Sequence, residues 1–233
     1  MCMHMKKFTL IEMLVVIAVI GILSSLLLPS IRQSREKAIG ALCISNMRQS
    51  YIQMNIFTNQ NDSKIMVKEN DPVKGWVAPL YDNGYVEDPN ESFFCPKDDI
   101  GPGPYNNKWI YYQQTYGFNV FGMFKNTVWA DRDWLLTDRP GGPGTEMNCT
   151  INLLLLPEPS EFILIGDTVS RYHLEQNNSY RNHFSFRDTN WGKIWTVHNP
   201  GKKANAVYGD GHVSATTVAD WRSNVGNIYF DFQ

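Results

Sequence analysis

The chain has 233 residues, with 21 lysines and arginines against 23 aspartates and glutamates, a formal net charge of −2. This is room for one globular domain of ordinary size and a short additional segment. The near-neutral balance supplies no basic face for nucleic acid, which is therefore not among the expected partners.

The first element lies near the amino terminus, in KKFTLIEMLVVIAVIGILSSLLLP, residues 6–29. Between positions 8 and 28 the one ionisable group is Glu12. At about 1.5 Å per helical residue this run reaches roughly 31 Å, the thickness of a bilayer hydrocarbon core, and it is read as a membrane-spanning helix. A removable secretory signal fits less well, because its apolar core is shorter and ends in a small-residue cleavage site.

Glu12 is the costly residue in this segment: a carboxylate inside a spanning helix carries a penalty of about 2.5–3.5 kcal/mol on insertion scales. Either it snorkels to the headgroups of an ordinary signal anchor, or it has a cationic partner. A cut between Lys7 and Phe8 would create that partner, since the new α-amino group would lie at the right depth to meet Glu12 of a neighbouring helix. Lys6 and Lys7 favour a cytoplasmic amino terminus. Arg32, Arg35 and Lys37, offset in part by Glu36, stand past the other end and leave the charge rule nearly neutral.

After Pro29 the helical pattern continues, with Ile39, Cys43, Met47, Tyr51, Met54 and Phe57 at spacings of three or four. The polar run TNQNDSK, residues 58–64, ends it. The expectation is one helix of about 50 residues, bent at Pro29, with a spanning half and an amphipathic half that buries its stripe against protein.

Beyond it, DNGYVEDPNESFFCPKDD, GPGPYNN and DRPGGPGTE read as turns and loops around brief strands. Aromatic residues crowd positions 76–134. They are read as core and cross-strand pairs rather than as a glycan-stacking surface. The clearest strands are residues 162–166, 194–198 and 204–208. With no βαβ alternation, the fold class is α+β: a long amino-terminal helix packed on a carboxy-terminal antiparallel sheet domain. Residues 204–217, ANAVYGDGHVSATT, form a hairpin whose tight turn is Gly209, Asp210 and Gly211.

Site chemistry is sparse. His198, Asp210 and His212 offer imidazole and carboxylate from paired strands, but the Gly-Asp-Gly turn already accounts for Asp210. His198 is expected to hydrogen-bond the Asp210 loop, and no metal is expected. No CxxC spacing and no EF-hand loop occurs, and Asp98 with Asp99 is only a short acidic pair. GxSxG, HExxH and phosphate-cradling glycine loops are absent, while Asp167, His173, His183 and Asp188 are scattered without catalytic spacing. An enzyme is not expected, and no cofactor is implied.

The segment KKFTLIEMLVVIAVIGILSSLLLP resembles the cleavage and methylation segment of type IV prepilins and type II secretion pseudopilins. In that family the residue after the cut, usually Phe, is N-methylated, the fifth mature residue is Glu, and a Pro often stands twenty-second; here these are Phe8, Glu12 and Pro29. The family usually has Gly before the cut, where this chain has Lys7. MKKFTLIE from Met5 reads as a natural start, which would leave Cys2 and His4 outside the native product. A second likeness lies in HNPGKKANAVYGDGHV, similar to the carboxy-terminal signature of a bacterial group of prepilin-like proteins defined by His, nine residues, then Asp-Gly. Here eleven residues separate His198 from Asp210, and Gly211 follows; the lengthening falls in a polar loop that tolerates it. REKAIGALCISNMRQ and LPEPSEFILIGD fit the same group. The likeness covers the first 60 residues well, the last 80 loosely and the middle poorly.

This resemblance implies a leader at residues 1–7, a spanning helix at 8–28, a helix extension at 29–60 and an extracytoplasmic, pilin-like β-rich domain at 61–233. It implies a single-pass inner-membrane protein with a cytoplasmic amino terminus and a periplasmic domain. The protein would be a structural subunit of a type IV pilus or type II secretion pseudopilus. Its partners would be prepilin peptidase, other pilin or pseudopilin subunits, the inner-membrane assembly machinery and membrane lipid. A membrane-anchored surface module, with glycans as its ligand class, is the alternative. Loss of residues 1–7 removes two of the 21 basic residues, leaving 19 against 23 acidic ones, a net −4. Cys43, Cys95 and Cys149 remain in the mature chain, which in an oxidising compartment allows one bridge and a leftover thiol. Cys43 with Cys95 is the favoured pair, tying the helix exit to the Cys-Pro turn of FFCPKDD. Pairings with Cys149 are the alternatives.

Overall fold

The computed structural model describes residues 9–68, 75–86, 91–97, 116–118, 135–138, 148–156, 158–169, 193–196, 198, 203–225 and 230–231. Compactness divides the chain into two units, Met1–Ile39 and Gly40–Gln233. Helix α1, Leu10–Asn59, contributes to both and continues through Pro29 without a break.

In the first unit, the helix begins at a reciprocal cap. The Thr9 backbone N–H and hydroxyl both donate to Glu12 Oε2 at 2.8 Å, and the Glu12 N–H donates back to Thr9 Oγ1 at 3.3 Å. This is the S/T-x-x-E capping box, which satisfies amide groups that the first helical turn leaves without partners. Large apolar side chains from Leu10 to Leu28 stand exposed along this stretch, and α1 is long and apolar enough to cross a membrane.

In the second unit, α1 buries the stripe that its spacing predicts. Cys43, Met47, Met54 and Phe57 are buried and Tyr51 is half-buried, as is Ile39 at the end of the first unit. A polar stripe runs beside them at the same helical spacing. Asn46 Nδ2 donates to the Phe94 carbonyl at 3.2 Å, Ser50 Oγ to the Ser92 carbonyl at 2.6 Å, and Gln53 Nε2 to Ser92 Oγ at 3.2 Å. These bonds fasten the short 3-10 turn Glu91–Phe93 and the chain after it to the helix. Asp62 and Ser63 follow at φ of 51° and 59°, a left-handed pair that turns the chain from α1 into strand β1, Lys64–Lys68.

Among the described residues, the remaining α-helices and strands are α2 (Ala78–Asp82), β2 (Gly117–Phe118), β3 (Leu135–Asp138), β4 (Asn148–Asn152), β5 (Ile163–Gly166), β6 (Thr168–Val169), β7 (Lys193–Trp195), β8 (Lys203–Tyr208), β9 (Val213–Thr217), α3 (Val218–Val225) and β10 (Phe230–Asp231). They make three small sheets, ordered β1-β4-β3, β2-β5-β8-β9 and β10-β7-β6. The fold is α+β, as expected, but not with a single sheet, and β10 pairs with β7 in parallel. The other pairings are antiparallel.

The four-stranded sheet positions part of the site. β5, ILIG, lies between β2 and β8 and is buried throughout, which explains its unbroken apolar run. In β8 the side chains alternate: Val207 joins the core shared with Cys43 and Met47, whereas Ala204 and Ala206 join Ile194 and Trp221. Asn205, two residues before Val207, takes the Val207 side by the period of two, and it is buried.

The β8–β9 hairpin carries the Gly-Asp-Gly turn as read from sequence. Its role goes beyond reversing the chain, because the Tyr51 hydroxyl of α1 donates to the Gly209 carbonyl at 2.7 Å. Tyr51→Phe keeps the ring and removes this bond, and is expected to lower stability by about 1 kcal/mol, measured as a shifted urea midpoint with unchanged slope.

Candidate functional site

Four ligating side chains from distant parts of the sequence meet inside the second unit. Cys43 comes from α1, Cys95 from the chain that the Asn46–Ser50–Gln53 stripe holds, Asp167 from the junction of β5 and β6, and His198 from the turn after β7. One donor atom from each lies within 4.8 Å of all the others. Cys43, Cys95 and Asp167 are buried and His198 is half-buried.

The contacts are specific. Cys43 Sγ donates to Asp167 Oδ1 at 3.3 Å, and Cys95 Sγ stands 3.2 Å from His198 Nε2. Asp167 Oδ2 accepts the Asn205 backbone N–H at 3.2 Å, while Asn205 Nδ2 lies 3.6 Å from Cys43 Sγ as a donor to sulfur. The Tyr116 hydroxyl donates to the Phe94 carbonyl at 2.7 Å and also reaches Cys43 Sγ at 3.5 Å. The Tyr116 carbonyl in turn accepts from Trp76 Nε1 at 2.8 Å, so a packed aromatic wall backs the cluster.

Burial sets the electrostatics. It pushes Asp167 up to about 7, against the lowering effect of its hydrogen bonds from Cys43 and Asn205. Burial likewise raises the Cys43 thiol well above its ordinary value, reinforced by its hydrogen bond with Cys95 and by the nearby Asp167 carboxyl. Among the described residues no lysine or arginine forms an ion pair with Asp167. The site thus concentrates two sulfurs, a carboxyl and an imidazole in a largely buried cluster in which Cys43 and Asp167 are costly to ionise alone.

The residues singled out from sequence separate into three groups. Lys7 and Phe8 lie outside the described residues, as do Asp98, Asp99, His173, His183 and Asp188. Glu12 is the carboxylate of the capping box, and Pro29 is interior to α1. Cys43 and Cys95 are brought together, as the expected bridge requires, and no disulfide joins them in this structure.

His198 is placed with Cys95, and the hydrogen bond expected from it to the Asp210 loop is made by His212 instead. Asp210 Oδ1 accepts the His212 N–H at 3.0 Å and contacts His212 Nδ1 at 2.6 Å, and these bonds hold Asp210 below the usual carboxylate range despite slight burial. The reason is proximity: Asp210 and His212 share one turn, and the His212 ring stacks on Tyr208 at 4.1 Å. Gly211 lies under the Tyr51 ring.

Sequence reading missed Asp167 and Asn205 as members of the site. Asp167 follows directly on the buried run ILIG, and an acidic residue abutting such a strand is the signal that marked it. The T-x-x-E pattern at Thr9 likewise marked the cap. No family model, curated protein or solved structure matches the chain.

Proposed function

We propose that the chain is a pilin- or pseudopilin-like structural subunit, cut before Phe8 by a prepilin peptidase and N-methylated there. It sits in the inner membrane with its amino terminus in the cytoplasm and its globular part in the periplasm. It joins a type IV pilus or type II secretion pseudopilus through bundled anchor helices. The observation that supports this reading is the division of labour within α1: exposed apolar side chains over its first part, and from Cys43 onward a stripe that builds the globular core. Helices of the first kind gain stability by packing with copies of themselves in lipid, and Glu12 then needs a partner there.

The capping box allows a clean test of Glu12. Gln at the same position retains the cap but cannot act as the carboxylate partner of a cationic amino terminus. A hydrogen-bonded charge pair is worth roughly 1.5–3 kcal/mol, so Glu12→Gln is expected to reduce assembly by about ten- to a hundredfold at matched expression, with folding and insertion retained. Wild-type assembly by Glu12→Gln would remove the pairing mechanism. The accompanying check is the amino-terminal peptide from native membranes, where N-methylated Phe8 is the expected species and an uncut chain overturns the processing route.

The alternative, a surface module for glycans, draws on exposed aromatic residues. Within the stretch 76–134, Trp76, Phe93, Tyr116 and Phe118 are buried and Tyr81, Tyr85 and Phe94 half-buried, while its aromatic residues at 105–112 and 121–134 lie outside the described residues.

A further inference from the structure

We propose that Cys43, Cys95, Asp167 and His198 form a closed, four-coordinate zinc site that clamps α1 to the three chain segments meeting it. The argument starts from geometry. Zinc bonds of about 2.3 Å to sulfur and 2.0–2.2 Å to nitrogen or oxygen require tetrahedral edges of about 3.4–3.8 Å between donors. The donors here stand at 3.3 Å for Cys43 Sγ to Asp167 Oδ1 and 3.2 Å for Cys95 Sγ to His198 Nε2, with all pairs within 4.8 Å. Small side-chain adjustments bring such a set to the metal.

The donor types select the ion. Two sulfurs and an imidazole suit a borderline-soft metal, whereas calcium and magnesium require oxygen ligands. Four protein donors leave no open position, which is the pattern of a structural centre rather than a catalytic one. With both cysteines as thiolates, Asp167 ionised and His198 neutral, the assembled centre carries one net negative charge. Asn205 is placed to stabilise that charge, with its side-chain N–H on Cys43 Sγ and its backbone N–H on Asp167 Oδ2, leaving Oδ1 for the ion.

A Cys43–Cys95 disulfide would consume both sulfur donors and leave the carboxyl of Asp167 buried without a cation. Zinc uses all four groups. The distant origins of these residues also make metal binding a folding event, since no such site exists in the unfolded chain.

The test uses the full chain in detergent, purified without a polyhistidine tag or chelator, with metal content measured by elemental mass spectrometry. About one zinc per chain is expected, falling at least fivefold in Cys95→Ser and in Asp167→Asn. Cobalt substitution of the wild type gives a readout that does not depend on variants folding: thiolate-to-cobalt charge-transfer absorption and tetrahedral ligand-field bands are expected. Absence of both zinc and cobalt binding, zinc unchanged in the two variants, or a Cys43–Cys95 disulfide in the peptide map of the native protein would each overturn the proposal. The zinc test does not depend on the pilin reading, because an uncut, unassembled chain retains all four ligands.

Discussion

Gly211→Ala is expected to destabilise the protein by roughly 2–5 kcal/mol, from two effects that act at one position. Gly211 has φ of +88°, where an L side chain is strained by about 1–2 kcal/mol. A Cβ built there would also stand 2.3 Å from Tyr51 Cε1 and 2.7 Å from Cδ1. The Tyr51 ring cannot swing aside without breaking the hydrogen bond from its hydroxyl to the Gly209 carbonyl, and overpacking of this kind costs about 1–3 kcal/mol. Urea denaturation should show the full loss in the wild-type background. In a Tyr51→Ala background only the backbone strain remains, so the same glycine substitution should cost visibly less. Equal losses in the two backgrounds would mean that the helix does not rest on this turn.

This turn shows which parts of the structure were legible in the sequence. Gly-Asp-Gly between two strands reads as a hairpin from local chemistry alone, and β8 and β9 form it. That Gly211 is also the seat for a helix side chain was not legible, because Tyr51 and Gly209 are 158 positions apart. The same contrast holds for α1. Its length and buried stripe follow from periodicity, while the Asn46–Ser50–Gln53 polar stripe gains meaning only when the chain at Ser92 and Phe94 lies beside it.

β5, β7 and β8 were readable as apolar or β-branched runs, within a residue or a few of their observed ends. β1, KIMVK, was hidden by its lysines and by the polar turn before it, and β4, NCTIN, by its asparagines. The parallel pairing of β10 with β7 carries no local signal. The Cys43–Cys95–Asp167–His198 cluster is the extreme case: no local pattern links the four residues to one another, and the fold alone supplies their proximity. Cys43 and Cys95 pair on sequence alone, from their positions at a helix exit and a turn. Asp167 and His198 belong with them only through the pairing of strands, Asp167 lying between β5 and β6 and His198 after β7, which pairs with β6.

The wall behind that cluster yields the other large expected effect. Trp76 is fully buried, its ring meets Phe93 at 5.7 Å and Phe118 at 5.9 Å, and its Nε1 donates to the Tyr116 carbonyl. Trp76→Ala opens a cavity in a core that cannot collapse onto it, for a loss of about 3–5 kcal/mol, with about 1 kcal/mol more from the carbonyl left without its donor. Trp76→Phe fills most of the space and should lose much less. Tyr116 also holds the Phe94 carbonyl, one residue before Cys95, so loosening the wall reaches the sulfur site. Trp76→Ala should therefore label faster at Cys95 with a thiol reagent under native conditions, while Trp76→Phe stays near the wild-type rate. An unchanged labelling rate in Trp76→Ala, alongside the expected loss of stability, would show that the aromatic wall supports the fold without positioning the cysteine.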